Sequence, residues 1–523
     1  MRLGRSERAG EMKGPRAIPS VSRNIAYNVV GQTLLLALGF VSVRFIFSRL
    51  GADALGIVYF TIALTGVILA AVDLGINTTA VREVSAHHGR DDAYVVDLVR
   101  TASVIYWGAF VVLALATYLA APYLVTSWLH LGGSIDQETA IEAVRIMTIP
   151  ALLILPRSLY TSLLRGLQRM ALTNVLDVGL LAVQQLGLIV VISLGGGLLA
   201  AAWWLATSSV LATTAYLMAS ASFLGRSLFM PWYSHAVVRR NFLFSRAVTA
   251  ISVFSAVHTE ADKILVSKFL PVAALGSYGF VSTVVARASV LTEALAITLL
   301  PTFSQTFGKG DRSALLRQYR QLQDLQCLST VPIFGGVIFF APLILTFVFD
   351  RQTSDVLVLP VVFLSVGSYM HGTLYAPHLL SIAVGRPDIA ARATFIALIV
   401  VLPVTVALVY FAGLNGAAFS WIVYHLFMYA YAVPRITREC LGIKPAEWFR
   451  HLLRIAIASS VAYGLAWFAA DTLAPRSAPA LAVAFVAASL IFAAQLRRLM
   501  TPEFADVISR LPVGRLVVGR RTS

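Results

Sequence analysis

"RFIFSRLGADALGIVYF", residues 44–60, and "KILVSKFLPVAALGSYGF", residues 263–280, are two renderings of one pattern. Lys263 and Lys268 repeat the spacing of Arg44 and Arg49, and Leu275-Gly276 repeats Leu55-Gly56. Each copy lies where one long apolar run ends and the next begins, so each places cations at an equivalent depth. The register continues beyond these stretches. "HHGRDD" (87–92) has a counterpart in "GKGDRS" (308–313), "RGLQR" (165–169) in "AVGRP" (383–387), and "LLAAAWW" (198–204) in "NGAAFSW" (415–421). Four matches in one register exceed what biased composition yields by chance. They describe a parallel duplication, six helices repeated by six, with its pseudo-two-fold axis along a membrane normal.

The chain has 523 residues, 58% hydrophobic and 13% charged. A soluble globular chain carries roughly 25% charged residues, so about half the usual charge is missing. A span needs about 20 apolar residues. Such runs recur at 25–48, 55–79, 98–120, 143–164, 172–194 and 198–222, and again at 246–268, 275–298, 325–348, 356–381, 393–412 and 415–433. Two more lie at 452–470 and 478–496. The expectation is an all-α polytopic membrane protein of about 14 transmembrane helices: two six-helix lobes plus a C-terminal pair. The corresponding divisions are a tail (1–24), a first lobe (25–222), a linker (223–245) and a second lobe (246–433). A linker with helices 13–14 (434–496) and a basic tail (497–523) complete the chain.

The net charge of +16 lies in short connections and tails. There lysine and arginine set topology, and nucleic acid is not an expected partner. Arg82, Arg90, Arg165, Arg169, Arg239, Arg240, Arg386, Arg435 and Lys444 all fall on alternate connections, whereas "APYLVTSWLHLGGSIDQETAIE" has neither lysine nor arginine. The positive-inside rule therefore expects both termini in the cytoplasm. The two cysteines, Cys327 and Cys440, fall near that same side, so no disulfide is expected.

No phosphate-binding loop, dinucleotide fingerprint or metal-ligand cluster is present, and no connection on the outer side has room for a catalytic module. The chain is expected not to be an enzyme and to need no cofactor. Chemistry points instead to ionisable residues inside spans: Arg44, Arg157, Lys263 and Arg287, together with His258, Glu260 and Asp262. Four charges facing lipid would cost roughly 10–14 kcal/mol, comparable to the whole stability of a domain at about 5–15 kcal/mol. Facing water, each other or a ligand removes that cost. Arg44 and Lys263 have an alternative, snorkelling outward from the span ends. Glu260 and Lys263 are also spaced to pair on one helix. The four cations are the candidate binding residues for an anionic substrate. His258, Glu260, Asp262 and Asp73 are candidates for coupling or gating, with Asp73 and Asp177 placed to pair with Arg82, Arg165 or Arg169.

"RLGADALGIVYF" followed by "DLGINTTAVRE", and "ADKILVSKFLPVAALGSYGF" in the second half, resemble the polysaccharide-repeat-unit (O-antigen type) flippase family. That family belongs to an exporter superfamily shared with multidrug-and-toxin extruders and lipid II flippases. The resemblance implies two lobes forming a V around a central cavity. It implies alternating-access transfer of undecaprenyl-pyrophosphate-linked oligosaccharides across a bacterial inner membrane. His258 and Asp262 are spaced to carry a coupling ion, H+ or Na+, whose identity the sequence leaves open. A polysaccharide polymerase and chain-length machinery are the implied partners, besides membrane lipids and the lipid-linked oligosaccharide. Helices 13 and 14 exceed the twelve-helix plan. The alternatives are a lipid II-type flippase and an ion-coupled multidrug exporter.

Overall fold

The computed structural model describes residues 38–73, 75–297, 303, 306–307, 311–474 and 477–509, with backbone only at 242–252, 290–297 and 507–509. The expected tail 1–24, the start of the first span and the tail beyond 509 lie outside the described residues. The first half comprises α1 (38–50), α2 (Ala52–Val72), α3 (Ile76–His87), α4 (Asp92–Trp128), α5 (Gln137–Gly166), α6 (Met170–Ser193) and α7 (Leu198–Leu224). The second half comprises α8 (His235–Phe269), α9 (Val272–Ile297), α10 (Arg312–Val348), α11 (Arg351–Ala383), α12 (387–412) and α13 (414–436). Then come α14 (Pro445–Leu473), α15 (Ala478–Leu499) and the short α16 (Pro502–Ser509). The described residues contain no strand.

Among the described residues, ten continuous helical stretches are long and apolar enough to cross a membrane. One of them, 387–441, is 55 residues long, more than twice what one crossing takes. Gly413, at φ 56° and ψ −133°, breaks it into α12 and α13. No β-carbon obstructs that backbone geometry in glycine. Several helices begin well before their apolar runs. α4 starts at Asp92 rather than 98, α10 at Arg312 rather than 325 and α14 at Pro445 rather than 452. Hydropathy registers only the membrane-thick part of a helix, whereas capping fixes where it starts. Asp91 accepts from the Tyr94 amide at 3.1 Å and Asp311 from the Ala314 amide at 2.9 Å, each satisfying one of the orphan donors of a first turn.

The apolar side chains gather into three main clusters, and their membership reveals the shape. One cluster joins the halves: Leu55, Val144 and Ala202 from the first pack with Leu275, Leu345 and Leu357 from the second. All these residues lie at the end opposite the basic connections. At the basic end there are two clusters instead. Val84, Leu98, Leu163 and Tyr216 form one. Tyr319, Phe339, Leu380 and Phe492 form the other, together with the C-terminal helices. The halves thus share a core at one end and separate at the other, which is a V.

The shared end is sealed by backbone. A β-carbon added to Gly56 would collide with the Val272 carbonyl oxygen, and one added to Gly276 would stand 2.6 Å from the Gly56 nitrogen. These two glycines are the repeat-equivalent positions of the opening stretches, so α2 and α9 cross where the pseudo-two-fold axis passes. Around the crossing, the Val272 amide donates to the His130 carbonyl at 2.9 Å. Trp128 Nε1 donates to Ser267 Oγ at 3.0 Å, and Lys268 Nζ to the Ser127 carbonyl at 3.1 Å. Phe47 meets Phe349 edge-on at 4.8 Å.

The linker residues from 235 onward form one helix with the seventh expected span. The first turns of α8 dock on the first half, with Val237 in its basic-end cluster. Its last turns belong to the shared core through Val266. The dock is centred on Glu83 of α3, whose side chain is 9% exposed. Glu83 accepts from Arg82 at 2.7 Å and from Tyr94 Oη at 3.0 Å, with Arg240 of α8 at 3.9 Å. Asn241 donates to the Tyr94 oxygen at 3.0 Å.

Burial pushes the Glu83 pKa up, but the hydrogen bonds from Arg82 and Tyr94 and the nearby cations outweigh it. The carboxyl is held below its ordinary value of 4.5. A depressed carboxyl contributes stability that is complete above the unfolded pKa and is lost as pH falls through the folded one. Hydrogen exchange at 235–241 should therefore be slow near neutrality and accelerate only below the ordinary carboxylate range. Glu83→Gln, which removes hydrogen bonds between charged groups worth roughly 1.5–3 kcal/mol, should speed that exchange about tenfold or more at neutral pH. Unchanged exchange in Glu83→Gln would show that the dock does not depend on this carboxylate.

Candidate functional site

The polar centre of the second half is built on α8, where His258, Glu260, Asp262 and Lys263 fall within two turns. His258 and Asp262, four residues apart, share the face turned to α13; Glu260 and Lys263 lie round the helix from it. Asp262 is 2% exposed, and its carboxylate is fully engaged. Tyr278 Oη of α9 donates to it at 2.7 Å, Trp421 Nε1 of α13 at 3.1 Å and Lys263 Nζ at 3.4 Å. Lys263 Nζ also lies 3.1 Å from Glu260 and donates to the Thr259 carbonyl at 2.7 Å. Buried charge survives only when paired and hydrogen-bonded in this way. One ammonium here faces two carboxylates.

His258 lies beside this cluster. Its ring stacks on Tyr424 at 3.4 Å and faces Trp421 at 5.5 Å, while Nε2 is buried without a hydrogen-bond partner. A cavity of about 10 Å³ opens next to it, lined by His258, Asp262, Thr405 and Ser420, a size that admits one water-sized species. Two histidines that sequence reading did not single out extend the network. His425 Nδ1 stands 2.6 Å from the Trp421 carbonyl and so must donate to it; its Nε2 then accepts from His371 Nδ1 at 3.2 Å. They lie 54 residues apart in sequence, and His378 follows His371 two turns further along α11. The tryptophan itself was legible: Trp421 occupies the repeat position of Trp204, whose Nε1 donates to the Gln184 carbonyl at 2.9 Å.

Glu260 reaches across to the first half, for a β-carbon added to Gly66 of α2 would lie 3.3 Å from its Cγ. Arg287 lies on the neighbouring α9. Eight residues separate it from Gly279, whose added β-carbon would stand 2.5 Å from the Tyr59 ring. At 1.5 Å rise per residue, Arg287 is about 12 Å beyond that contact toward the basic end. Arg287 is exposed, as are Thr283 and Ala286 on the same helix. It has no ion-pair partner among the described residues and lies within electrostatic reach of Tyr59. It therefore sits where the sealed end gives way to the separated one.

The other candidates are distributed. Arg44 donates to the Phe347 carbonyl and stacks over the Phe347 ring at 4.5 Å, which ties α1 to α10 at the sealed end. Arg157, half-buried on α5, lies within electrostatic reach of Asp177 and Tyr216 in the first half. Asp177 accepts from Tyr216 rather than from a basic connection. Asp73 accepts from Tyr106 Oη and from Asn77, which in turn donates to Ser158 Oγ at 3.0 Å. The four cations thus do not converge on one point. Arg287 is the exposed cation nearest the throat, and Lys263 is the buried one held by carboxylates. Among the described residues, no group of three or more His, Cys, Asp or Glu is placed to hold a metal ion.

These placements separate structural from surface roles. Asp262→Ala leaves Tyr278, Trp421 and Lys263 without their shared acceptor and should cost roughly 3–5 kcal/mol, as loss of one partner of a buried ion pair does. Arg287→Ala removes an exposed, unpaired side chain and should stay within about 0.5 kcal/mol of wild type. Thermal unfolding of the purified variants checks both; equal melting temperatures would contradict the pairing described.

The fold has solved counterparts. A lipid II flippase, MurJ, in an inward closed conformation superposes with TM-score 0.69 at 13% identity, covering 90% of this chain and 99% of that one. An inward-facing multidrug resistance MATE family transporter of the MOP superfamily gives 0.63 at 16% identity, covering 78% and 94%. A MOP superfamily transporter from Pyrococcus furiosus gives 0.54 at 16%, covering 80% and 95%. At such identities the likeness is one of fold. No curated protein matches the chain by sequence. The profile of one family, described as polysaccharide biosynthesis protein, matches residues 21–307. That stretch is more than half of the chain and spans both copies of the opening pattern, and the chain accordingly belongs to the polysaccharide biosynthesis protein family.

Proposed function

We propose that this transporter is a flippase for lipid-linked oligosaccharide repeat units. It would carry them on undecaprenyl pyrophosphate across the bacterial inner membrane by alternating access, for surface polysaccharide assembly. The basic end is cytoplasmic in this reading, as are both termini. Residues 25–222 and 246–433 act as the two lobes that rock about the sealed crossing. The observation that carries the proposal is the exposed Arg287, without an ion-pair partner among the described residues, at the throat of a V whose walls separate toward the basic end. A guanidinium in such a place recognises phosphate through charge-assisted, bidentate hydrogen bonds.

Binding moves a two-state protein only through unequal affinity for its states. A pyrophosphate held at Arg287 does so if its remaining contacts come from the facing lobe. Lys263, freed from Glu260 when α8 shifts against α2, is the second cation in this scheme. Arg44 and Arg157 contribute at its edges, Arg44 by releasing Phe347 as the sealed end opens. His258 and Asp262, with the one-water cavity between them, hold the coupling ion, H+ or Na+. Glu260 against Gly66 and Asp73 in its Tyr106–Asn77 network gate the two faces. A polymerase and chain-length machinery take up the exported unit.

A second reading, an ion-coupled exporter of cationic compounds, is favoured by one specific observation: Glu260 and Asp262 together outnumber Lys263. One experiment separates the two. Full-length protein is reconstituted in liposomes with a fluorescent undecaprenyl-pyrophosphate glycan, and leaflet exposure of the glycan is followed. Wild type should expose it, and Arg287→Ala should slow exposure about tenfold or more, since a hydrogen bond to a charged group is worth roughly 1.5–3 kcal/mol. Normal exposure by Arg287→Ala, or transport of a cationic dye with no glycan exposure, would overturn the flippase reading.

A further inference from the structure

A second concave site lies far from the throat, at the sealed end on the outside of the first half. It is a groove of about 650 Å³ between the end of α4, the start of α5 and the start of α7. Its floor is apolar, supplied by Ile141, Ile146 and Ile149. Its rim carries Glu138, Glu142 and Arg145 from α5. Positions 138, 142 and 145 share one helical face, so all three charges border the same space.

The charges do not neutralise each other. Arg145 is turned toward α4, where its Nε donates to the Tyr118 carbonyl at 3.2 Å and its guanidinium covers the Tyr118 ring at 4.1 Å. Among the described residues, Glu138 and Glu142 have no ion-pair partner, although Glu142 is only three residues from Arg145 on one helix. Two carboxylates and a guanidinium held apart around one apolar-floored groove present separate subsites for a cation and an anion.

The surroundings say where the ligand comes from. Trp203 and Tyr118 on the rim are 55% and 51% exposed, the aromatic types that gather at a membrane–water interface. Along α4, Val111, Val112, Leu115 and Leu119 are all exposed, at 58–67%. Those positions form the lipid-facing strip of a membrane helix, and it leads directly up to Tyr118. The groove therefore opens sideways onto acyl chains and upward onto headgroups. We propose that it binds a phospholipid with a zwitterionic primary-amine headgroup, of the phosphatidylethanolamine type. Glu138 and Glu142 take the ammonium, the free end of Arg145 takes the phosphate, and the isoleucine floor takes the first methylenes of the chains. An anionic headgroup lacks the ammonium and meets two carboxylates. A quaternary amine lacks the N–H donors those carboxylates accept from.

The test uses the full-length protein in detergent micelles, with phosphatidylethanolamine, phosphatidylglycerol or phosphatidylcholine added and lipid retention read by native mass spectrometry. Phosphatidylethanolamine should be retained with about tenfold preference over the other two. Glu138→Gln/Glu142→Gln should abolish that preference, and Arg145→Gln should weaken retention of all three lipids. All three side chains lie at the rim, so unchanged melting temperatures of the lipid-free variants show that folding is not at issue. If the double variant unfolds, loss of bromine-induced quenching of Trp203 by brominated phosphatidylethanolamine in wild type on adding excess unlabelled phosphatidylglycerol would overturn the proposal instead. Equal retention of the three lipids, a preference that survives in the double variant, or displacement of the lipid by soluble oligosaccharide would each overturn it too.

Discussion

The approach of two backbones at Gly56 and Gly276 is the constraint on which the rest of the molecule depends. Small residues let membrane helices come close enough for backbone packing, which supplies association energy where lipid offers no hydrophobic drive. Because the two glycines are repeat equivalents, the contact is made on the pseudo-two-fold axis. A duplicated chain gains a self-complementary crossing from a single motif. Everything that seals this end is arranged around it, from the Val272–His130 backbone bond to the Trp128–Ser267 and Lys268–Ser127 bonds. The apolar cluster shared by the two halves packs around the same crossing.

The division of the apolar core follows from that crossing. Shared packing near the axis and separate packing at the basic end leave a wedge between the halves. The polar cluster of α8 lies buried against α9 and α13, whereas Arg287 on α9 is exposed. The electrostatics of these two helices are uneven. In the α8 cluster Lys263 is held by two carboxylates and Asp262 by three side-chain donors and the Lys263 amide. Arg287, by contrast, is exposed and has no ion-pair partner among the described residues.

Much of the architecture was legible because its causes are local and repetitive. Apolar runs of membrane length reflect the solvent on each part of the chain, and ten helical stretches of that length and apolarity occur among the described residues, although α2 ends at Val72, inside the expected span 55–79. Helix starts were misplaced by several residues, since Asp91 and Asp311 cap helices that extend into water beyond the apolar segment. The Leu-Gly repeat was visible as a match, but that its two copies touch is a tertiary fact with no signature in either copy alone. Site residues were legible as ionisable groups in apolar surroundings, and Lys263 with Glu260 follows from their spacing. That Arg157 answers to Asp177 and Tyr216, or that His371 meets His425, depends on which helices become neighbours. The groove has no signature in sequence, because Glu138 and Glu142 fall in a connection and Arg145 in the expected span 143–164, and only the meeting of α4, α5 and α7 brings its walls together.

The central claim is that close approach of α2 and α9 at their glycines holds this end shut while the basic end stands apart. Spin-label distances test it most directly, with one pair at Leu131 and Ala273 across the sealed end and another at Gln168 and Ile382 across the basic end. In wild type the first distance should be short and narrowly distributed and the second long. Gly56→Ala, which forces a β-carbon into the Val272 carbonyl, should lengthen the first and shorten the second together. If Gly56→Ala leaves both distances unchanged, or the two ends move independently, the glycine crossing is not what closes the molecule.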